Sequence, residues 1–207
     1  MIEKLAFSLG RNDEAPNIEL AKKLAASKNK KDIDEIADGL DSKTGQIAGD
    51  CIKVLYELAG ITPELAAPYA EKFIGLLQSK NNRLVWGAMM ALSKITALNP
   101  GLVCKNLDII VKAYEKGSVI TVDNSISVFA ELAKAGKSYE KKAFPIIIKH
   151  LENCRPREVA QHSERAFACV NKGNAGEFKN TLLKRRSALT DPQKKRVDKL
   201  IKQLPVP

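Results

Sequence analysis

A set of four apolar or small residues returns at a fixed interval along this chain, and that interval limits the fold more than any other feature. Cys51, Ile52, Leu55 and Leu58 are followed 37 positions on by Ala88, Met89, Leu92 and Ile95. After 37 more come Ser125, Ile126, Phe129 and Leu132. Each set reads small, large, two gaps, large, two gaps, large. That spacing places all four side chains on one face of an α-helix. A small residue beside a large one lets a neighbouring backbone approach closely. A further set is read 41 positions beyond Ser125, at Ala166, Phe167 and Val170. A recurrence of this length marks a chain built from one supersecondary unit used several times.

The rest of the sequence agrees with helices and gives no convincing period-2 strand. Ser118 to Val122 is rich in β-branched residues, but it runs straight into an apolar stripe at Val122, Ile126, Phe129 and Leu132, so a helix is expected there. A second helix precedes each repeated one. Thr62-Pro63-Glu64-Leu65 opens one, with Thr as N-cap and Pro at the first helical position, and Asn99-Pro100-Gly101-Leu102 repeats the signal 37 residues later. Thr190-Asp191-Pro192-Gln193 reads as a capping box. Pro68 and Pro145 fall inside two first helices and are expected to bend them. The expected helices cover 2–9, 16–27, 31–40 with 43–59, 63–79 with 81–97, 100–116 with 119–135, 139–153 with 157–171, 176–188 and 192–203.

Paired helices, a Pro-bearing first helix and a second helix opening Arg83-Leu84-Val85-Trp86-Gly87-Ala88 resemble HEAT repeats of the HEAT/armadillo class. Arg83 and Asp123 stand near the places where that family often carries an Arg and an Asp, although no one unit holds both. The resemblance covers residues 30–171 best. It implies an all-α fold, a right-handed α-solenoid of about five antiparallel helix pairs. Residues 1–207 would form a single domain, with an N-terminal cap at 1–30, repeats at 31–171 and basic cap helices at 172–207. It also implies that the second helices line a concave face that binds peptides, helices or extended partners.

Composition narrows the partner classes. The net charge of +10 is lopsided: residues 1–133 hold 16 Lys and Arg against 17 Asp and Glu, and residues 134–207 hold 18 against 7. Lys184-Arg185-Arg186 and Lys194-Lys195-Arg196 are the densest clusters. They form either a phosphate-attracting field or a solvated cap on the end of the stack. Aromatic residues are only 5% of the chain, which argues against base-stacking single-strand modules. There is no membrane-length apolar run, and the first residues lack the pattern of a signal peptide, so a cytoplasmic location is the expectation. Cys51, Cys104, Cys154 and Cys169 are widely spaced and read as buried, reduced thiols.

No catalytic motif is present: there is no G-x-S-x-G, no phosphate-binding Gly-rich loop and no H-E-x-x-H. His150 and Cys154 are four apart, and His162 and Cys169 are seven apart on the next helix. In an antiparallel pair these four can converge on a zinc ion, but the spacing matches no standard module. Buried thiols with surface imidazoles are the plainer expectation, so no metal or cofactor is assigned. Trp86 reads as a partly buried packing residue or as a binding hot spot. Some HEAT-like DNA glycosylases pair a Trp with an Asp on one helix. No acid follows Trp86 before Leu98, and that activity is not carried over. The expected function is a non-catalytic protein-binding scaffold. Its contacts would include Lys53, Arg83, Trp86, Asp123 and Arg165, outward positions that a packed core does not need. The alternative is nucleic-acid binding through Lys184, Arg185, Arg186, Lys194, Lys195 and Arg196. Neither a membrane nor a small-molecule substrate is expected.

Overall fold

Proline at the first helical position and apolar stripes at helical spacing decide where the backbone coils. In the computed structural model, which describes residues 1–205, the regular elements among those residues are all helical. They are α1 (Ala15–Ser27), α2 (Lys30–Asp38), α3 (Gly45–Ile61), α4 (Pro63–Ala66), α5 (Ala70–Leu76), α6 (Asn82–Ile95) and α7 (Pro100–Lys105). Then come α8 (Leu107–Lys116), α9 (Val119–Lys134), α10 (Lys137–Asn153), α11 (Pro156–Ala166), α12 (Ala175–Arg185) and α13 (Asp191–Lys202). Consecutive helices pack in pairs at α2 with α3, α4–α5 with α6, and α10 with α11. The fold is an all-α solenoid of helical repeats. By its contacts the chain divides into two compact units, residues 1–125 and 126–207, and α9 runs from one into the other.

In the first unit α3 is the central element. It packs against α1, α6, α2 and α4, and every residue from Ala48 to Tyr56 is buried. Gly87 brings α6 onto it: a Cβ there would lie 2.7 Å from Ile52 Cγ1. In the second unit α11 packs on α10 and α13, and α12 lies against α10.

The 37-residue register holds for a fourth turn, which corrects the reading at 41. His162, Ser163, Ala166 and Cys169 follow Ser125, Ile126, Phe129 and Leu132 by 37 positions, and all four are buried. Phe167 and Val170 are only half-buried, because α11 ends at Ala166 and Phe167 opens a 3-10 turn.

Local chemistry explains the other departures. The expected helix at 2–9 is a 3-10 turn at Ile2–Lys4 followed by turns. The amides of Ala6 and Phe7 donate to Asn17 Oδ1 (3.0 Å) and Asp50 Oδ2 (2.8 Å) rather than to helical carbonyls. Gly10, at φ 66°, ends the segment. Pro68 does break its helix, separating α4 from α5 by a 3-10 turn. Pro145 does not, and α10 runs through it. The helix expected at 100–116 divides at Asn106, whose side-chain amide donates to Leu102 O at 3.0 Å. Thr62 stands at the N-cap of α4 without a side-chain capping bond. Asn99 likewise makes no side-chain cap on α7, and its amide donates instead to Ala67 O at 3.2 Å.

Candidate partner-binding ridge on the second helices

The ridge is built where α1 meets α3 and α6 in the first unit. Lys53 carries an aliphatic stem that can be covered while its ammonium finds acids. It is only 6% exposed. Its Nζ lies 2.8 Å from Glu14 Oε2 at the N-cap of α1, 2.8 Å from Glu57 Oε1 one turn along α3, and 4.9 Å from the Tyr56 ring centre. Burial alone would lower the Lys53 pKa, but the hydrogen bonds to Glu14 and Glu57 outweigh it and hold it above the ordinary value. The expectation that Lys53 points outward is therefore corrected. The N-terminal helix covers this part of α3, and a lone helix stripe gives no sign of that.

Arg83 follows as the second charged member. Its guanidinium donates to Asp50 Oδ1 at 3.2 Å and lies 3.6 Å from Glu14 Oε1. Gly49 makes room for it, since a Cβ there would sit 3.1 Å from Arg83 Cδ. Asp50 is 5% exposed and ties Arg83 to the Phe7 amide. Trp86 is half-buried, and its ring centre lies 5.9 Å from that of Tyr56 at an interplanar angle of 53°. Tyr56 is itself buried, and desolvation pushes its phenol pKa up despite Lys53. Glu14, Asp50, Tyr56 and Glu57 were not among the residues singled out from sequence. One signal was available: Gly49, Trp86 and Asp123 share a register 37 residues apart, and Asp50 follows the first of them.

Asp123 is half-buried on α9. Arg165 is half-buried in the second unit, where its Nη1 donates to Ser127 Oγ at 3.0 Å. A cleft of about 400 Å³ in the first unit is lined by Leu77, Gln78, Val85, Ile109, Lys112 and their neighbours. Its lining contains no His, Cys, Asp or Glu.

Several basic residues of α12 and α13 are engaged within the second unit. Arg185 donates to the carbonyls of Leu151 (3.1 Å), Glu152 and Cys154 (2.6 Å), closing the C-terminal end of α10. Arg186 grips Asp198 through two bonds of 2.9 and 2.8 Å. Arg196 holds Glu164 with its Nε at 2.8 Å from Oε1. Lys194 and Lys184 lie 3.3 and 3.9 Å from Asp191 and Glu152. Lys195 is exposed and has no ion-pair partner among the described residues.

The histidines depart from the surface imidazoles expected. His150 is 6% exposed and His162 is fully buried. Their rings face each other, with His150 Nε2 at 2.7 Å from His162 Nδ1. Cys154 joins them, and the three ligand atoms lie within 4.8 Å of one another. Cys169, the fourth member considered from sequence, is apart from this group and bonds Ala166 O at 3.1 Å. All four cysteines are free thiols; Cys51 and Cys169 are buried as expected, but Cys104 and Cys154 are only half-buried.

No protein-family model and no curated protein matches the chain. Solved structures do. An engineered protein from the Northeast Structural Genomics Consortium shares 16% identity at a TM-score of 0.64, covering 97% of this chain and 95% of its own. A designed armadillo repeat protein in complex with the peptide (KR)4 shares 13% identity at 0.66, over 92% of each chain. Computationally designed armadillo repeat proteins for modular peptide recognition share 14% at 0.64, over 93% of each. At these identities the likeness defines the class of fold: an armadillo- or HEAT-like helical-repeat solenoid.

Proposed function

We propose that this chain is a non-catalytic scaffold that binds another protein, as an extended segment laid on the second helices α3 and α6 of its first unit. The observation that carries the reading is the half-buried Trp86, packed at a tilt against Tyr56 and flanked by charged groups already fixed in place by Glu14, Asp50 and Glu57. A rigid aromatic beside pre-ordered polar groups loses little entropy on binding, as hot spots do. The designed armadillo relatives that recognise peptides support a peptide-like partner for the same architecture. We read the chain as one solenoid whose N-terminal residues, with α1, cap its first pair.

Arg83, Trp86, Asp123 and Arg165 remain the contact candidates. Lys53 would act by holding the ridge together. Selection of binders from a displayed peptide library, followed by titration, tests this. Trp86→Ala should weaken the best binder roughly 30-fold, in the range of a hot spot of about 2 kcal/mol. If the combined Lys53, Arg83, Asp123 and Arg165 alanine variant, still folded, bound it unchanged, the ridge would be the wrong surface. Nucleic-acid binding is the second reading. The internal engagement of Arg185, Arg186 and Arg196 weighs against it, since phosphate would have to displace bonds already formed.

A further inference from the structure

We propose that His150, Cys154 and His162 form a binding site for a tetrahedral divalent cation of zinc type, which clamps the α10–α11 hairpin. His150 and Cys154 are one helical turn apart, and the Cys154 amide donates to His150 O at 2.7 Å, so both side chains leave the end of α10 from one face. The short turn to α11 then returns His162 against them. His150 Nε2 and His162 Nδ1 are 2.7 Å apart, and one nitrogen of each ring lies with Cys154 Sγ in a group within 4.8 Å. Zinc bound to two nitrogens and a thiolate needs separations of roughly 3.3 Å between the nitrogens and roughly 3.6 Å from each to sulfur. The rings must open by about 0.6 Å and the Cys154 side chain must swing in.

The repeat register gives an independent argument. Position 162 follows Cys51, Ala88 and Ser125 in the 37-residue period, and position 150 follows Gly39, Leu76 and Ala113. In the first pair a Cβ on Gly39 would lie 2.5 Å from Cys51 Sγ, so that slot is tight. The fourth pair alone fills both slots with imidazoles. Apolar packing alone does not call for two buried polar rings. Two nitrogen lone pairs cannot face each other unshielded, so the 2.7 Å contact holds one hydrogen between the rings. On metal binding that hydrogen moves to the other nitrogen of its own ring, and both rings stay neutral. The thiol proton is released to water. A water completes the tetrahedron. The nitrogen and sulfur donor set prefers zinc to magnesium or calcium.

Cobalt(II), and then zinc(II), added to the full-length protein tests the site. The expected result is one cobalt per chain, with tetrahedral visible bands and a thiolate-to-cobalt charge-transfer band, both displaced by zinc. Cys154→Ser should abolish the charge-transfer band, keep the helical circular dichroism and weaken zinc binding beyond the roughly 10–100-fold that loss of a ligand-supporting group costs. Cys169→Ser should change nothing. His162→Ala should lose the visible bands; should it fail to fold, His150→Gln and Cys154→Ser decide the matter. A folded wild-type protein with no charge-transfer band overturns the proposal, as does a band that survives Cys154→Ser or disappears with Cys169→Ser.

Discussion

Gly87→Ala should destabilise this protein, whereas Gly75→Ala should stabilise it, although both glycines lie in helices. In a helix interior the added methyl is worth about 1 kcal/mol in favour of Ala. Around Gly75 nothing lies within 4 Å of the new Cβ, so a gain of roughly 0.5–1 kcal/mol should appear undiminished. At Gly87 the new Cβ would sit 2.7 and 3.1 Å from the two γ carbons of Ile52. Ile52 is fully buried and β-branched, so it cannot swing aside. Either α6 moves off α3 or Ile52 leaves its rotamer, at a cost of about 1–3 kcal/mol. The net is a loss of up to roughly 2 kcal/mol, or up to about 8 °C in the thermal midpoint for a chain of this size. Urea denaturation followed by circular dichroism reads both variants. Adding Ile52→Val to Gly87→Ala should recover part of the loss, because it removes a clashing methyl. If Gly87→Ala raised the midpoint as Gly75→Ala does, the close approach of α3 and α6 would be refuted.

Three further outcomes follow from the charged groups. Lys53→Met should shift stability by no more than about 1 kcal/mol, since Glu14 and Glu57 are left with access to water, whereas the double change Glu14→Gln, Glu57→Gln strands a buried ammonium and should cost about 3 kcal/mol; denaturant midpoints compare the two. Hydrogen bonds from Arg196 hold the Glu164 carboxyl below its ordinary 4.5, and those from Arg186 hold Asp198 below 3.8. Both contributions are present above those ordinary values and are lost as pH falls below them, so acid titration should loosen α13, and Arg196→Ala should flatten that part of the profile. Titration with duplex DNA at about 50 and 200 mM salt should show little affinity at either; tight binding lost between the two would move the function to α12 and α13.

How much could be read in advance differs from residue to residue. The period of 37 and the stripes at Cys51, Ala88 and Ser125 are local patterns, so helix pairing and the all-α class were legible. The fourth turn was misplaced because Phe167 and Val170 look more like core than His162 and Ser163 do. Only the end of α11 at Ala166 decides between them. The charge of Lys53 suggests solvent; that α1 covers it depends on chain far away in sequence. The candidate ridge was half legible. Arg83, Trp86 and Asp123 stood out by type and spacing, but Asp50 and Glu14, which fix Arg83, did not.

The sequence alone determined the repeat, its helices and the absence of a catalytic motif, because periodicity and turn chemistry act over one or two turns of chain. Only the tertiary structure decided which polar residues are buried and against what. It turned Lys53 inward between two acids, spent Arg185 on carbonyl groups, and brought a nitrogen of His150 against one of His162. The physical reason is the same in each instance. The energy of a buried charge or imidazole is set by whichever groups the fold brings within a few ångströms, and those lie tens of residues away along the chain.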